Sequence, residues 1–235
     1  MTSSKENGQP YPIMHVTFDK WMSKTNKHER KNITFEGPRF IHRDIYEMSG
    51  KAMQTEAYKV FDGWLLLNRI GDVVLFFRPH CIVEIGAGES SAVLAWLAQK
   101  HNVTFYSCDK KKAKGHIYNE NHLFYQMMSD KFMKEFDDTP ALVLIDGDHR
   151  YDQAKKEFEF FFERLIPGGV IFLHDSFPPH EIYLDEFGCG EVYKLRRELE
   201  QRTDEMDCLT FPYTGKWMGL TMVIKKDPER PWWGK

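Results

Sequence analysis

The sequence lacks any apolar run near the roughly 20 residues needed to span a bilayer. The longest, such as Val73 to Phe77, stop after a handful of residues. Its N-terminus, MTSSKENGQPYP, has no apolar core of the kind a signal peptide carries. Cysteine is scarce. Cys81, Cys108, Cys189 and Cys208 form no CxxC or CxxxC pair, which argues against a structural zinc site. Cys81 and Cys108 sit in apolar, strand-like runs, where a thiol behaves as a small hydrophobe. A reducing, cytoplasmic setting follows as the default. An excess of either charge is also missing. A formal net charge of -3 offers no basic surplus for nucleic acid and no polybasic block for an anionic membrane. There is no internal repeat and no low-complexity tract. With 42% hydrophobic and 29% charged residues, the composition is that of an ordinary globular chain, which argues against global disorder.

The 235 residues allow one sizeable core. Residues 1–50 are polar, with scattered aromatics and no clear period, and read as an extension or lid. From Ala52 to Arg69 the pattern turns helical, with Ala57, Val60, Phe61, Trp64 and Leu65 on one face. Gly71 then punctuates the chain. Strands are predicted from Cys81, over Val103–Cys108, His122–Met127, Ala141–Ile145 and Val170–Leu173, and finally over Met206–Phe211 and Leu220–Ile224. Helices are predicted over Ser90–Gln99, from Tyr151 to Leu165, and over Glu191–Gln201. A turn is predicted at 212–215.

Such alternation predicts a doubly wound, Rossmann-like α/β fold. Its mixed sheet should have seven strands, the last antiparallel, with a helical or irregular N-terminal extension. The division is then 1–50 extension, 51–226 catalytic domain and 227–235 tail. Ligands on such sheets bind beyond the carboxyl ends of the strands. Gly86-Ala87-Gly88, Asp109, Asp146 and His174-Asp175 all follow predicted strands, so one fold brings these distant residues to one rim.

Two glycines after a buried strand let the backbone turn tightly and approach a ligand. Asp109 ends the next strand, where a carboxylate can accept from both ribose hydroxyls. A dinucleotide fingerprint would add a third glycine, but Ser91 stands there, and Glu89 would repel a pyrophosphate. Both features favour a cofactor without phosphate.

Glu84-Ile-Gly-Ala-Gly-Glu-Ser-Ser91 resembles the first motif of class I S-adenosylmethionine-dependent methyltransferases. Ile145-Asp-Gly-Asp-His-Arg-Tyr151 resembles the DGDHxY element of a small-molecule O-methyltransferase-like subgroup. Pro167-Gly-Gly169, His174-Asp175 and Gly190-Glu-Val-Tyr193 fit the same pattern, over about residues 52–225. The resemblance implies S-adenosylmethionine as methyl donor. Glu84 would lie near its methionine amino group. Gly86, Ala87, Gly88 and Ser90 would line the methionine and ribose, Asp109 would hold the ribose, and Asp130 would meet the adenine. Asp146 would border the same pocket.

Methyl transfer to a hydroxyl needs something to remove or withhold a proton. The rim offers Asp146, His149, His174 and Asp175. A neutral-range histidine, His149 or His174, would serve as base. Alternatively, the resemblance implies that Asp146 and Asp175 hold a divalent ion such as Mg²⁺, although His174 stands where related enzymes place an oxygen ligand. His180 and the remaining histidines are given no role. The stripe of Phe158, Phe161 and Phe162 reads as core.

The partner expected is a small-molecule methyl acceptor, with no nucleic acid and no membrane, and a homo-oligomer is compatible. Two rival readings stand: an NAD(P)-dependent oxidoreductase, and a cofactor-binding protein without catalysis. A nucleic-acid methyltransferase is disfavoured, because Asp146-Gly-Asp-His149 fills the place of an N-P-P-Y-like element.

Overall fold

Five short apolar runs pair in parallel, and among the described residues a helix follows the first, third, fourth and fifth of them. The computed structural model describes residues 62–111, 119–178, 181–184, 189–211 and 218–228. Its elements are α1 (Asp62–Phe77), β1 (Cys81–Ile85), α2 (Ser90–His101), β2 (Phe105–Asp109), β3 (His122–Gln126) and α3 (Ser129–Glu135). Then come β4 (Pro140–Ile145), α4 (Tyr151–Arg164), β5 (Val170–His174), a 3-10 turn (Glu181–Tyr183), α5 (Val192–Leu199), β6 (Met206–Phe211) and β7 (Leu220–Lys225). The extension expected over 1–50, the helix expected over 52–61, His180, the turn at 212–215 and the tail beyond 228 lie outside the described residues.

The sheet order is β3-β2-β1-β4-β5-β7-β6. β7 runs antiparallel to both its neighbours, β5 and β6. The seven-stranded mixed sheet with its last strand antiparallel is therefore as the alternation predicts. β1, β4 and β5 are buried along their whole length, as central parallel strands are. Side chains alternate between two cores. Val83, Ile85, Val143, Ile145 and Ile171 face α3, α4 and α5, where Phe132, Phe158, Phe161 and Leu195 pack. Ile82, Leu142, Leu144 and Phe172 face α1 and α2, against Trp64, Leu67, Leu94 and Leu97. Each fully buried side chain of this size contributes about 1.5–3 kcal/mol.

Two features differ from the sequence reading. Gly71 does not end a helix, for α1 runs through it to Phe77. A Cβ there would lie 2.7 Å from Leu97 Cδ1 and 3.0 Å from Leu142 Cδ2, so this glycine lets α1 press onto α2 and the sheet. The segment after β3, read as a loop, is the helix α3. With Phe132 and Met133 as its buried apolar pair, it is too short to display a helical period.

The ends of the helices are tied down by side chains. Lys225, on β7, donates to the carbonyls of Phe162, Glu163 and Leu165 at the end of α4. Asp72 of α1 accepts from Lys100 and meets His101, both in the last turn of α2. Among the described residues no helix is long and apolar enough to cross a membrane.

Candidate active site

The strand order reverses between β1 and β4, and the site opens where their carboxyl ends part. Gly86 takes a left-handed turn at φ 89°. A Cβ there would lie 2.1 Å from the Asp146 carbonyl oxygen, so only glycine fits. The Gly86 N–H donates to the Cys108 carbonyl at 2.9 Å and the Asp146 N–H to the Ile85 carbonyl at 2.8 Å. These bonds lace together the ends of β1, β2 and β4.

Glu84 is wholly buried within β1. Its two carboxyl oxygens accept from Ser90 at 2.5 Å and Ser91 at 2.6 Å. Ser91 Oγ in turn accepts the Gly88 N–H at 3.1 Å. Burial pushes the Glu84 carboxyl up to about 8, against the pull of the two serine hydroxyls. Its structural work is to clamp the glycine turn onto the first turn of α2.

A cavity of about 570 Å³ lies over the strand ends. Of the residues singled out in the sequence, Gly86, Asp109, Asp146 and His149 line it. Glu84, Ala87, Gly88, Ser90 and Asp130 are not among its lining residues, and neither are His174 and Asp175. Asp109 keeps one oxygen on the Lys111 N–H at 2.6 Å. Asp130 turns outward, with its carboxylate 2.8 Å from Lys156. At Gly88 an added Cβ would meet no protein atom within 4 Å, so the protein itself does not demand glycine there.

The catalytic candidates cluster beside the cavity. Asp146, His149 and Asp175 each present one ligand atom within 4.8 Å of the others. His149 Nε2 stands 3.7 Å from Asp146 Oδ1 and 4.0 Å from Asp175 Oδ2, beyond hydrogen-bond length. His174 is nearly wholly buried, stacks on Trp64 with ring centroids 5.2 Å apart, and places Nδ1 2.9 Å from Asp146 Oδ1. Burial pulls the His174 imidazole down, but Asp146 and Asp175 outweigh it and push it up to about 10. Burial raises Asp146, yet the nearby His174, with His149 beside it, holds it below the usual carboxylate range. Asp175 sits at φ 50°, a backbone conformation L-residues other than Asn and Asp seldom adopt, with Oδ1 taking the Met218 N–H at 3.1 Å.

Some lining residues had no site role in the sequence reading, although Gly190 and Glu191 belong to an element noted there. Gly190 has φ 50°, and a Cβ there would lie 2.7 Å from His149. The Glu191 N–H donates to the His149 carbonyl at 2.7 Å, and Glu191 Oε2 caps α4 at the Tyr151 N–H. Glu157 on α4 is wholly buried against the cavity. One signal could have found it. It falls on the apolar face of α4, three residues after Ala154 and four before Phe161, where a carboxylate needs a partner.

Residues 83–176 match the family model of a methyltransferase domain. No curated protein matches the sequence. Among solved structures, the chain is similar to a methyltransferase of Podospora anserina bound to S-adenosylhomocysteine (SAH), at 14% identity and TM-score 0.54. That match covers 94% of this chain and 100% of the other. It is also similar to an O-methyltransferase of Bacillus cereus in complex with SAH, at 16% identity and TM-score 0.52, over 88% of this chain and 99% of the other. A third is an O-methyltransferase of Streptomyces achromogenes involved in tomaymycin synthesis, at 14% identity and TM-score 0.53, over 89% and 98%. At these identities the structures speak to fold alone, and the family match says that residues 83–176 are similar to a methyltransferase domain.

Proposed function

We propose that the chain transfers the methyl group of S-adenosylmethionine to a hydroxyl of a small molecule. One observation carries the reading: Gly86, Asp109, Asp146 and His149, far apart in sequence, border one cavity at the ends of β1, β2 and β4. The lining suits this donor. It holds Asp109, Asp146, Asp148, Glu157 and Glu191 against Lys110 and Arg150, and Arg150 is spent on Asp148 at 2.6 Å. Such a wall repels a pyrophosphate or phosphodiester and favours a ligand carrying a sulfonium and an ammonium. That speaks against NAD(P) and against nucleic acid. Bound there, the donor supplies an electrophilic methyl group.

Asp109 is the ribose acceptor in this reading, and Gly86 leaves the backbone room to approach the ligand. Glu84 acts behind the turn, since both its oxygens are held by serines. His149 borders the cavity and takes the acceptor proton. His174, walled in by Trp64, keeps Asp146 in place. Asp175 faces the same cluster from behind. A second reading is favoured by the spacing of Asp146, His149 and Asp175. These would hold a divalent cation, which would acidify the acceptor hydroxyl. Two oxygens with one nitrogen suit manganese, iron or zinc as well as magnesium. The four free cysteines support a cytosolic setting. Exposed Val73, Phe76 and Phe77 on α1 would be the face of any homo-oligomer.

Calorimetry tests the reading. SAH should bind, NAD should not, and Asp109→Ala should weaken SAH by about ten- to a hundredfold, as for a lost hydrogen bond to a charged group. Binding of NAD in preference to SAH would return the oxidoreductase. Activity that survives a chelator selects the histidine base over the metal. SAH binding with no turnover of any acceptor would leave a binding protein.

A further inference from the structure

We infer that Glu157 reads the 6-amino group of the donor's adenine, so that the site selects an aminopurine over an oxopurine. The inference rests on the proposed donor and adds the residue that recognises its base. If Asp109 holds the ribose and Gly86 and Asp146 flank the methionine end, the base must reach the remaining wall. Part of that wall is formed by Cys108, Met127, Met128, Ser129 and Glu157. The two methionines offer polarizable surface to the ring faces. Glu157 is the one wholly buried acid among the described lining residues.

Its side chain is fixed from one side. Oε1 accepts from Ser129 Oγ at 2.5 Å and from Gln153 Nε2 at 3.0 Å. Oε2 is buried and has no hydrogen-bond partner among the described residues. A buried acceptor without a donor is costly, and native folds retain one where something else satisfies it. Burial pushes the Glu157 carboxyl up, opposed by Ser129 and Gln153, and a donor arriving at Oε2 would add to their pull. The 6-amino group of adenine is such a donor, on the edge of a flat ring. Hypoxanthine carries a carbonyl at that position, which would set two acceptors face to face. Asp130, the acid expected to meet adenine, is engaged by Lys156 and Gln153 outside the cavity.

The test compares SAH with S-inosylhomocysteine, which differs from it in the base alone. Wild type should prefer SAH by about ten- to a hundredfold. In Glu157→Gln, Ser129 and Gln153 should hold the amide oxygen at the Oε1 position and leave the amide NH₂ in place of Oε2. The preference should then vanish or reverse toward the oxopurine, which loss of structure alone does not do. Folding is checked by circular dichroism and melting. If that variant is too unstable, Glu157→Met replaces it and should abolish the preference without reversing it. A wild type that binds both ligands equally overturns the assignment alone. So does a folded Glu157→Gln with the wild-type preference. A wild type that binds neither overturns the donor reading, and this assignment with it.

Discussion

The two halves of the rim are built on opposite plans. Around the glycine turn the protein satisfies itself: Glu84 is bonded to Ser90 and Ser91, Ser91 to Gly88, and Gly86 to Cys108. Around Asp146 it gathers titratable groups instead: His174 Nδ1 stands 2.9 Å from Asp146 Oδ1, and His149 Nε2 stands 3.7 and 4.0 Å from Asp146 and Asp175. The first half is a rigid seat. The second brings together ligand atoms of Asp146, His149 and Asp175 that could exchange a proton or hold a metal. A preorganised seat and groups that can move a proton are what a transfer reaction requires of one cavity.

The contrast can be broken from either side. The largest effect belongs to Gly86→Ala. Its Cβ would meet the Asp146 carbonyl oxygen at 2.1 Å, on a backbone at positive φ. We expect a loss above about 4 kcal/mol, at the extreme of single substitutions, seen as a collapse of the urea midpoint. A near-normal midpoint would show that the seat is not rigid. Next comes His149→Ala, which strikes the other half. It should lower kcat by about 10² to 10⁴ and leave SAH affinity and melting unchanged. Equal losses in binding and turnover would place His149 in the seat instead.

A third prediction uses pH. Unfolded Glu84 ionises near the ordinary 4.5, whereas folded Glu84 keeps its proton to about 8. Between those values the folded state binds more protons. This contribution to stability is full at the lower pH and is lost as pH rises through about 8. Glu84→Gln should flatten that decline in urea midpoints measured from pH 5 to 8.5. Parallel curves for wild type and variant would refute the shift. The smallest effect is Ser91→Ala, which removes one donor to Glu84 and one acceptor from Gly88. It should cost about 1–2 kcal/mol with little change in kcat. A kcat loss larger than the stability loss would count against a purely structural clamp.

The sequence showed the sheet well and the site unevenly, for a physical reason. Buried parallel strands are short apolar runs ended by Gly or Asp, and these are local patterns. Thus Gly86, Asp109 and Asp146 could be assigned to one rim before any coordinates. What depends on a distant neighbour was not legible. Gly71 looks like a stop until Leu97 and Leu142 are seen pressing on it. Asp130 and Glu157 are both acids near the same loop, and only the fold decides that Lys156 draws one outward while Ser129 and Gln153 hold the other inside. His174 resembles a free base until Trp64 covers it.

The placement of β7 has a consequence for synthesis. The last of the described strands in sequence is not at the edge of the sheet, for it slides between β5 and β6. A nascent chain that ends before residue 218 already holds the glycine seat and Asp109. It still lacks the Met218 N–H that steadies Asp175, the neighbour that covers the edge of β5, and the Lys225 that secures the end of α4. The glycine seat is therefore encoded before residue 218, whereas the cluster around Asp175 also draws on residues 218–225.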